Sequence, residues 1–453
     1  MKIGSTDRAW RQGYRTGKRE GARISAQFGP VSAQERSECG ALQKELLGLL
    51  VRGEDGPPSA DAIARVRALA TSFKPDPDSS RTLAVGVLAE QFGDAASRAW
   101  LAPMLAHRGR LDEALKIDVP WDAEGRPGPN WYTVLVNAAA LLGRMEDARA
   151  LAARIGEVFP RWHEDVVTVW DDSPQGRAYR ALAERDRDPA TVPNFYHLPF
   201  CGGTSMAIAM STSVPRDLTI EITRRGGLHQ VERTLDMTGA EAARLLLVNQ
   251  HHPYVLDVPG REMRYFTVLR DPVSQIASGY HKRSESSRVL GTLDESTTFE
   301  RHVEYTLRRG LTNTLARQIA ILHPDIAKGQ PKAFGHRAHY RNVASEEDMY
   351  WVGATARLSP KNLLELAREV LATRFDVVGS MAHLQASHLA CAAQLGLPAM
   401  RAIVHAGKSR RSRTEPIPLA DDLRAANAVD QQLFEEHTEA FGSEYADLVD
   451  AVV

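Results

Sequence analysis

The feature that most constrains the fold is an apolar segment that ends in a glycine-rich turn. Residues 195–205 have the sequence FYHLPFCGGTS, which predicts a buried strand, a loop and then a helix that begins near Thr204. Backbone amides at a helix N-terminus carry partial positive charge and bind anions such as phosphate or sulfate. Gly202 and Gly203 would let the backbone approach the anion, and the hydroxyls of Thr204 and Ser205 would add donors. An ordinary glycine turn before a helix is the alternative interpretation.

A second segment also runs from a strand into a helix. Residues 264–283, RYFTVLRDPVSQIASGYHKR, pass from an apolar strand through Arg270 and Asp271 into a helix that carries Ser278. Arginine offers a planar fork of donors that matches a phosphate, and Ser278 lies two helical turns further on. An ion pair between Arg270 and Asp271, or another nearby carboxylate, is the alternative.

Together the two segments resemble the sulfotransferases that use 3′-phosphoadenosine 5′-phosphosulfate (PAPS), particularly the carbohydrate sulfotransferases related to heparan 2-O-sulfotransferase. Residues 197–205 match the family motif H-I-P-K-T-G-G-T-S, and residues 269–280 match L-R-D-P-V-x-R-x-x-S-G-Y, with Gln275 replacing the second arginine. The resemblance spans residues 190 to 442. It implies a P-loop-like α/β fold, in which helices cover both faces of a parallel sheet, with PAPS as the sulfate donor and no metal.

The resemblance also implies roles for individual residues. The loop from Cys201 to Ser205 would hold the 5′-phosphosulfate, and Arg270 with Ser278 would grip the 3′-phosphate. A family lysine that contacts the oxygen bridging phosphate and sulfate is replaced here by Phe200. Because phenylalanine offers neither charge nor hydrogen bond, another cation must reach the site, or transfer is slow, or the protein binds the nucleotide without catalysing transfer.

A basic run near the C-terminus supplies candidates for the missing cation. Residues 408–413, KSRRSR, correspond to a family loop that closes over the 3′-phosphate, which makes Lys408 and Arg410 candidate nucleotide-binding residues. The chain as a whole is electrically balanced, with 56 Lys and Arg against 57 Asp and Glu. Without interleaved aromatic residues, this run does not predict a nucleic-acid partner.

Two further segments carry polar residues that the family resemblance singles out. His251 and His252 follow the apolar segment 244–249, and either is a candidate general base, because the ordinary histidine pKa of about 6.5 suits proton transfer at neutral pH. A polar loop with two solvated histidines is the alternative. Residues 312–318, TNTLARQ, resemble a family helix near the nucleotide or acceptor, although a solvated helix face explains them equally well.

The N-terminal region shows a different pattern. Residues 101–114 and 135–148 look alike, and Gly109 and Gly143 lie 34 residues apart, the period of tetratricopeptide helix pairs. A generic helical bundle is the alternative. Such a domain could bind a protein partner.

These observations predict four regions: a polar, basic segment (1–35), an α-helical domain (36–170), a charged, proline-containing linker (171–192) and an α/β domain (193–453). In the last region, segments of strand character alternate with segments of helix character, which predicts a parallel sheet covered on both faces.

Cysteine content and apolar segments indicate the cellular compartment. The three cysteines form no CxxC pair or zinc spacing, which favours a reducing compartment. The N-terminus lacks the apolar core of a secretory signal, and no apolar stretch reaches the ~20 residues that cross a bilayer. The leading hypothesis is therefore a cytoplasmic sulfotransferase that modifies a hydroxyl of a carbohydrate or glycosylated small molecule. The alternative, favoured by Phe200, is a nucleotide-binding scaffold of weakened activity whose helical domain binds a protein.

Overall fold

The computed structural model describes residues 33–51, 58–71, 79–184, 188, 190–222, 237–250, 258–290, 298–308, 312–327, 355–403 and 417–452. The internal contacts divide the chain into two units. Unit 1 comprises Met1–Val166 and Ser211–Leu218, and unit 2 comprises Val167–Met210 and Thr219–Val453.

The described residues of unit 1 before Val166 form helices joined by loops. Its helices are α1 (Ala33–Val51), α2 (Ala60–Thr71), α3 (Ser79–Gln91), α4 (Ala95–His107), α5 (Leu111–Ala114), α6 (Thr133–Leu141), α7 (Met145–Val158) and α8 (Trp162–Asp165).

The two similar segments of unit 1 form the same turn. Gly109 and Gly143 have φ angles of +66° and +73°, which glycine adopts readily where a helix ends. Arg110 and Arg144 follow these glycines, and each forms an ion pair with an acidic residue three positions later. The helices after the turns differ, since α5 has 4 residues and α7 has 14. The sequence similarity therefore marks a shared turn rather than two equal helix pairs.

The region 171–192, predicted as a linker, contains regular structure. Helix α9 (Pro174–Ala183) begins after Ser173, whose hydroxyl caps the helix N-terminus. Tyr179 in this helix is fully buried, and its hydroxyl donates a hydrogen bond of 2.9 Å to the Leu397 carbonyl. Pro174, one of the prolines that suggested a linker, is the first residue of a capped helix within unit 2, and Tyr179 is buried there.

A five-stranded sheet forms the centre of unit 2. Its strands are β2 (Thr191–Tyr196), β3 (Thr219–Ile222), β4 (Leu247–Gln250), β5 (Glu262–Leu269) and β6 (Phe375–Ser380). All pairings are parallel, and the order across the sheet is β3-β4-β2-β5-β6. A separate two-stranded sheet pairs β1 (Val166–Thr168) with β7 (Ala399–Arg401). The α/β class predicted from the sequence is confirmed.

Helices alternate with the strands of this sheet. The remaining helices are α10 (Gly203–Ser213), α11 (Gly239–Arg244), α12 (Pro272–Leu290), α13 (Phe299–Arg308), α14 (Thr314–Ala320), α15 (Pro324–Ala327), α16 (Pro360–Arg374), α17 (Leu384–Ala393), α18 (Ala420–Ala426), α19 (Ala428–Glu444) and α20 (Ala446–Val452). Strand β2 and the second half of β5 are almost wholly buried, as expected for central parallel strands.

The strand order places the connections that follow β2 and β5 at the same end of the sheet, the carboxyl end of these parallel strands. Strands β2 and β5 are neighbours, but the chain leaves β2 towards β3 on one side and leaves β5 towards β6 on the other. Where neighbouring parallel strands continue in opposite directions, a crevice opens at their carboxyl ends, and α/β proteins commonly bind ligands there. The residues that follow Tyr196 and Leu269 share this edge.

Two helices of unit 2 cap each other. The Asn313 side-chain oxygen accepts hydrogen bonds from the amides of Val429 (3.0 Å) and Asp430 (3.3 Å) at the start of α19. In return, the Asp430 carboxylate accepts the amides of Leu315 (3.0 Å) and Ala316 (2.8 Å) at the start of α14. We call this arrangement the reciprocal cap. It satisfies buried amides that the helices themselves cannot.

Asn313→Ala should lower the free energy of unfolding by about 2–4 kcal/mol, because two amides at the start of α19 lose their acceptor. Asn313 also has a φ of +53°, which alanine adopts less readily than asparagine. Urea denaturation measures the change. The control is Asn362→Ala, at an exposed position of α16, where a change within about 0.5 kcal/mol is expected. Equal stability of the two variants would contradict a structural role for the cap.

Candidate anion-binding site

The two sequence motifs lie side by side at the carboxyl ends of β2 and β5, which pair in parallel register. Arg270 Nη1 donates a hydrogen bond of 2.8 Å to the carbonyl of Phe200. Gln275 Nε2 donates one of 2.9 Å to the carbonyl of Pro199. Two side chains of the second motif thus bind consecutive carbonyls of the first and connect the two loops.

The alternative ion pair between Arg270 and Asp271 does not form within the described part of the chain. Asp271 instead accepts the Ser274 amide at 2.7 Å and serves as the N-cap of α12. Gln275, to which the sequence assigned no function, is 5% exposed and is committed to the loop contact. Gln275 thus contacts the first loop through a neutral amide, whereas the family that the sequence resembles has arginine at this position.

The first loop presents backbone donors at the start of α10. The amides of Ser205 and Met206 bond to the Gly202 carbonyl at 3.0 and 3.3 Å. The preceding amides, of Gly202, Gly203 and Thr204, have no acceptor among the residues that the structure describes. Consecutive amides of this kind, at the start of an 11-residue helix, can bind an anion through hydrogen bonds and the helix dipole.

The two glycines of this loop are also required by packing within the protein. A Cβ atom on Gly203 would overlap the imidazole ring of His197, which itself stacks on Phe195 at 5.6 Å. A Cβ atom on Gly202 would lie 2.6 Å from the sulfur of Met381, and Gly202 has a φ of +77°. These internal contacts explain the glycines, so the anion-site hypothesis depends on the amides.

Phe200 adopts a conformation that is rare for a bulky residue, with a φ of +62°. Its carbonyl accepts the Arg270 hydrogen bond, and its ring packs on α12 at Gly279, where a Cβ atom would lie 3.0 Å from the ring. Strained residues of this kind cluster at functional sites. Where the resembling family has lysine, this loop holds an apolar ring against the neighbouring helix.

The remaining residues of the two motifs have different surroundings. Thr204 is exposed, and Ser205, Arg270 and Ser278 are half-buried, so solvent reaches all four. Cys201 is buried, and burial raises the pKa of its thiol to about 12. Because the thiol is neutral near pH 7, Cys201 does not supply a nucleophile. Its amide donates to the Leu198 carbonyl at 3.4 Å, so the predicted contact of Cys201 with an anion is not among those that the loop offers.

Other predicted residues lie elsewhere or outside the described ranges. His251, His252, Lys408 and Arg410 fall outside the described residues and stay predictions. In the segment 312–318, Asn313 and Arg317 bind other parts of the protein. Asn313 belongs to the reciprocal cap, and Arg317 binds the Thr312 carbonyl at 3.0 Å and Thr355.

Comparison of the chain with models of known protein families and with curated protein sequences finds no match. In the described part of the chain, no helix combines the length and apolar character that a membrane crossing requires. Those same residues contain no group of three or more His, Cys, Asp or Glu side chains that could hold a metal.

Gly203→Ala should destabilise unit 2 by about 1–3 kcal/mol, because the added methyl group overlaps the His197 ring in a tightly packed region. The matched control is Gly239→Ala, in the first turn of α11, where a Cβ atom meets nothing within 4 Å. Helix propensity predicts a stability equal to or slightly above that of the parent there. Thermal unfolding of both variants checks the packing, and an unchanged Gly203→Ala variant would refute it.

Proposed function

We propose that this chain is a PAPS-dependent sulfotransferase with a P-loop-like fold, which transfers a sulfuryl group to a hydroxyl of a carbohydrate or glycosylated small molecule. The observation that carries this proposal is the contact between the two motifs. Arg270 of the second motif donates to the Phe200 carbonyl of the first, at the point where β2 and β5 diverge. Two loops far apart in sequence thus lie against each other and form one candidate binding site.

The chemistry requires that both anionic ends of the nucleotide be held and that charge on the leaving phosphate be neutralised. The amides of Gly202, Gly203 and Thr204 suit the 5′ end, since they lie at a helix N-terminus and have no acceptor among the described residues. Arg270 and Ser278 suit the 3′-phosphate. The bond to the Phe200 carbonyl orients the guanidinium of Arg270.

A second candidate function is nucleotide binding without transfer. It is favoured by Phe200, whose ring packs on Gly279 at the position where the resembling family has a lysine. An apolar ring cannot stabilise charge on the oxygen that bridges phosphate and sulfate. Nucleotide binding is common to both candidates, and sulfuryl transfer separates them.

Arg270→Ala should weaken binding of adenosine 3′,5′-bisphosphate about tenfold or more, because a charge-assisted contact to the 3′-phosphate is lost. Calorimetric titration with this ligand and with adenosine 5′-phosphate separates loss of a 3′-phosphate contact from general damage to the loop. Loss of a 3′-phosphate contact removes the preference for the bisphosphate, whereas general damage to the loop weakens both ligands equally.

The matched control for this experiment is Arg264→Ala. Arg264 lies on β5, the strand that ends just before Arg270, and forms an ion pair with Asp376. Its loss should therefore leave both affinities unchanged. The proposed nucleotide site is refuted if the parent protein binds neither nucleotide, or if Arg270→Ala keeps the preference for the bisphosphate.

Phe200→Lys should increase sulfuryl transfer from PAPS by about tenfold or more, because a positive charge near the leaving phosphate stabilises the transition state. Release of adenosine 3′,5′-bisphosphate in the presence of a panel of sugars measures the rate. Phe200→Leu is the control, since it keeps an apolar side chain and should give no increase. Transfer by Phe200→Lys alone would identify the natural chain as the binding protein of the second candidate.

A further inference from the structure

A row of side chains crosses one face of the five-stranded sheet near its carboxyl end. Glu221, Asn249 and Phe195 are the next-to-last residues of β3, β4 and β2. The parallel register pairs Glu221 with Asn249, and Asn249 with Phe195. Neighbouring strands lie about 4.8 Å apart, and residues paired in this way point to the same face of the sheet. The row therefore places the Glu221 carboxylate one strand away from the Asn249 carboxamide.

This row adjoins the first loop through His197. His197 lies two residues beyond Phe195, and its amide continues the strand pairing with a hydrogen bond of 2.9 Å to the Gln250 carbonyl. Its imidazole stacks on the Phe195 ring at 5.6 Å, so it shares the face of the row. The same imidazole packs so closely on Gly203 that a Cβ atom there would overlap it. One ring thus connects the row to the loop that begins α10.

The Asn249 carboxamide lacks a hydrogen-bond partner. Asn249 is half-buried, and its side-chain oxygen is shielded from solvent with no donor among the residues that the structure describes. A buried acceptor without a partner lowers stability. Inner strands of a parallel sheet usually carry apolar residues, as Leu247 and Val248 of β4 do. A ligand that donates to the Asn249 oxygen would account for a polar residue at this position.

Glu221 adds a carboxylate to the same face. Its side chain is half-buried and forms no ion pair or hydrogen bond with a described residue. Since β3 is an edge strand, a charged residue there also discourages pairing with other chains. That role does not explain the asparagine on the inner strand β4, whereas one ligand shared by Glu221 and Asn249 explains both residues.

The hydrogen-bonding groups of the two side chains indicate the class of ligand. A carboxylate and a carboxamide together offer three acceptor oxygens and two N–H donors. Two neighbouring hydroxyl groups of a sugar are complementary to this set, because each hydroxyl donates one hydrogen bond and accepts others. An ammonium group would pair with the carboxylate but would offer no acceptor to the carboxamide N–H donors. The two residue types therefore favour a polyhydroxylated ligand over a cation.

We propose that Glu221 and Asn249 bind two neighbouring hydroxyl groups of a sugar. The proposal rests on the proposed function for the role of this sugar, which is the sulfuryl acceptor. One hydroxyl donates to the Asn249 oxygen, and the other accepts from the Asn249 N–H group and donates to the Glu221 carboxylate. Because His197 connects these residues to the loop at Gly203, the sugar lies beside the candidate nucleotide site. The two side chains thus select acceptors that carry adjacent hydroxyls.

Saturation-transfer NMR tests this assignment with the methyl glycosides of glucose, galactose, mannose and xylose, each with and without adenosine 3′,5′-bisphosphate. At least one glycoside should bind the parent protein. Asn249→Leu and Glu221→Gln should each weaken its binding about tenfold or more, because hydrogen bonds to its hydroxyls are lost. The affinity for the bisphosphate, measured by calorimetry, should stay unchanged in both variants.

The matched control for the charge is Glu262→Gln. Glu262 is the exposed first residue of β5, at the amino end of the same sheet, so its neutralisation should leave glycoside binding unchanged.

Thermal unfolding separates a binding role of Asn249 from a structural one. Asn249→Leu should unfold at the temperature of the parent or above it, because no internal hydrogen bond of the described structure is lost. Asn194→Leu is the contrast, since the fully buried Asn194 carboxamide donates to the Gln250 side chain at 2.8 Å. That variant should unfold at a lower temperature, because it leaves a buried acceptor without its donor.

The outcomes distinguish this proposal from the proposed function. Glycoside binding that survives both substitutions, or a parent protein that binds the bisphosphate but no glycoside, would overturn the sugar site alone. A loss of thermal stability in Asn249→Leu as large as that in Asn194→Leu would assign Asn249 a structural role and also overturn it. Glycoside binding by a parent protein that does not bind the bisphosphate would support the sugar site and refute the proposed function. Failure to bind either ligand would refute both.

Discussion

The candidate site depends on two hydrogen bonds that join loops far apart in sequence. Arg270 and Gln275 bind the carbonyls of Phe200 and Pro199, and these contacts exist because β2 and β5 are parallel neighbours. They also account for the unusual backbone of Phe200, since its carbonyl is held by one side chain while its ring rests on Gly279. The strain at this residue is offset by contacts from the second loop.

Behind this loop, the protein satisfies buried helix ends in a different way. Asn313 and Asp430 each supply oxygen atoms to the amides of the other's helix. Asp430 is buried, and burial of a carboxylate is costly unless its hydrogen bonds are complete. The first loop has the opposite property, because three of its amides have no acceptor in the described structure. Satisfied and unsatisfied helix ends thus lie in one packed region, and only the second kind can attract a ligand.

The sequence predicted the parts of the fold that local pattern determines. The α/β class, the strand before the glycine-rich turn and the strand before Arg270 follow from apolar runs. The contacts between the motifs could not be predicted from the sequence. A glutamine or phenylalanine that departs from a family motif does not indicate which distant residue it contacts. Helix α9 was missed for the same reason, since only tertiary structure reveals that Tyr179 is buried.

The ring of Phe200 occupies the space that the absent side chain of Gly279 leaves on α12. A helix interior is an unfavourable place for glycine, which costs about 1 kcal/mol relative to alanine, and here that cost is matched by a close aromatic contact. The two positions are therefore sterically coupled, and a larger residue at 279 requires a smaller or differently directed one at 200. The coupling runs in one direction, because Gly279 leaves room for different side chains at position 200, whereas any residue with a Cβ atom at position 279 meets the Phe200 ring.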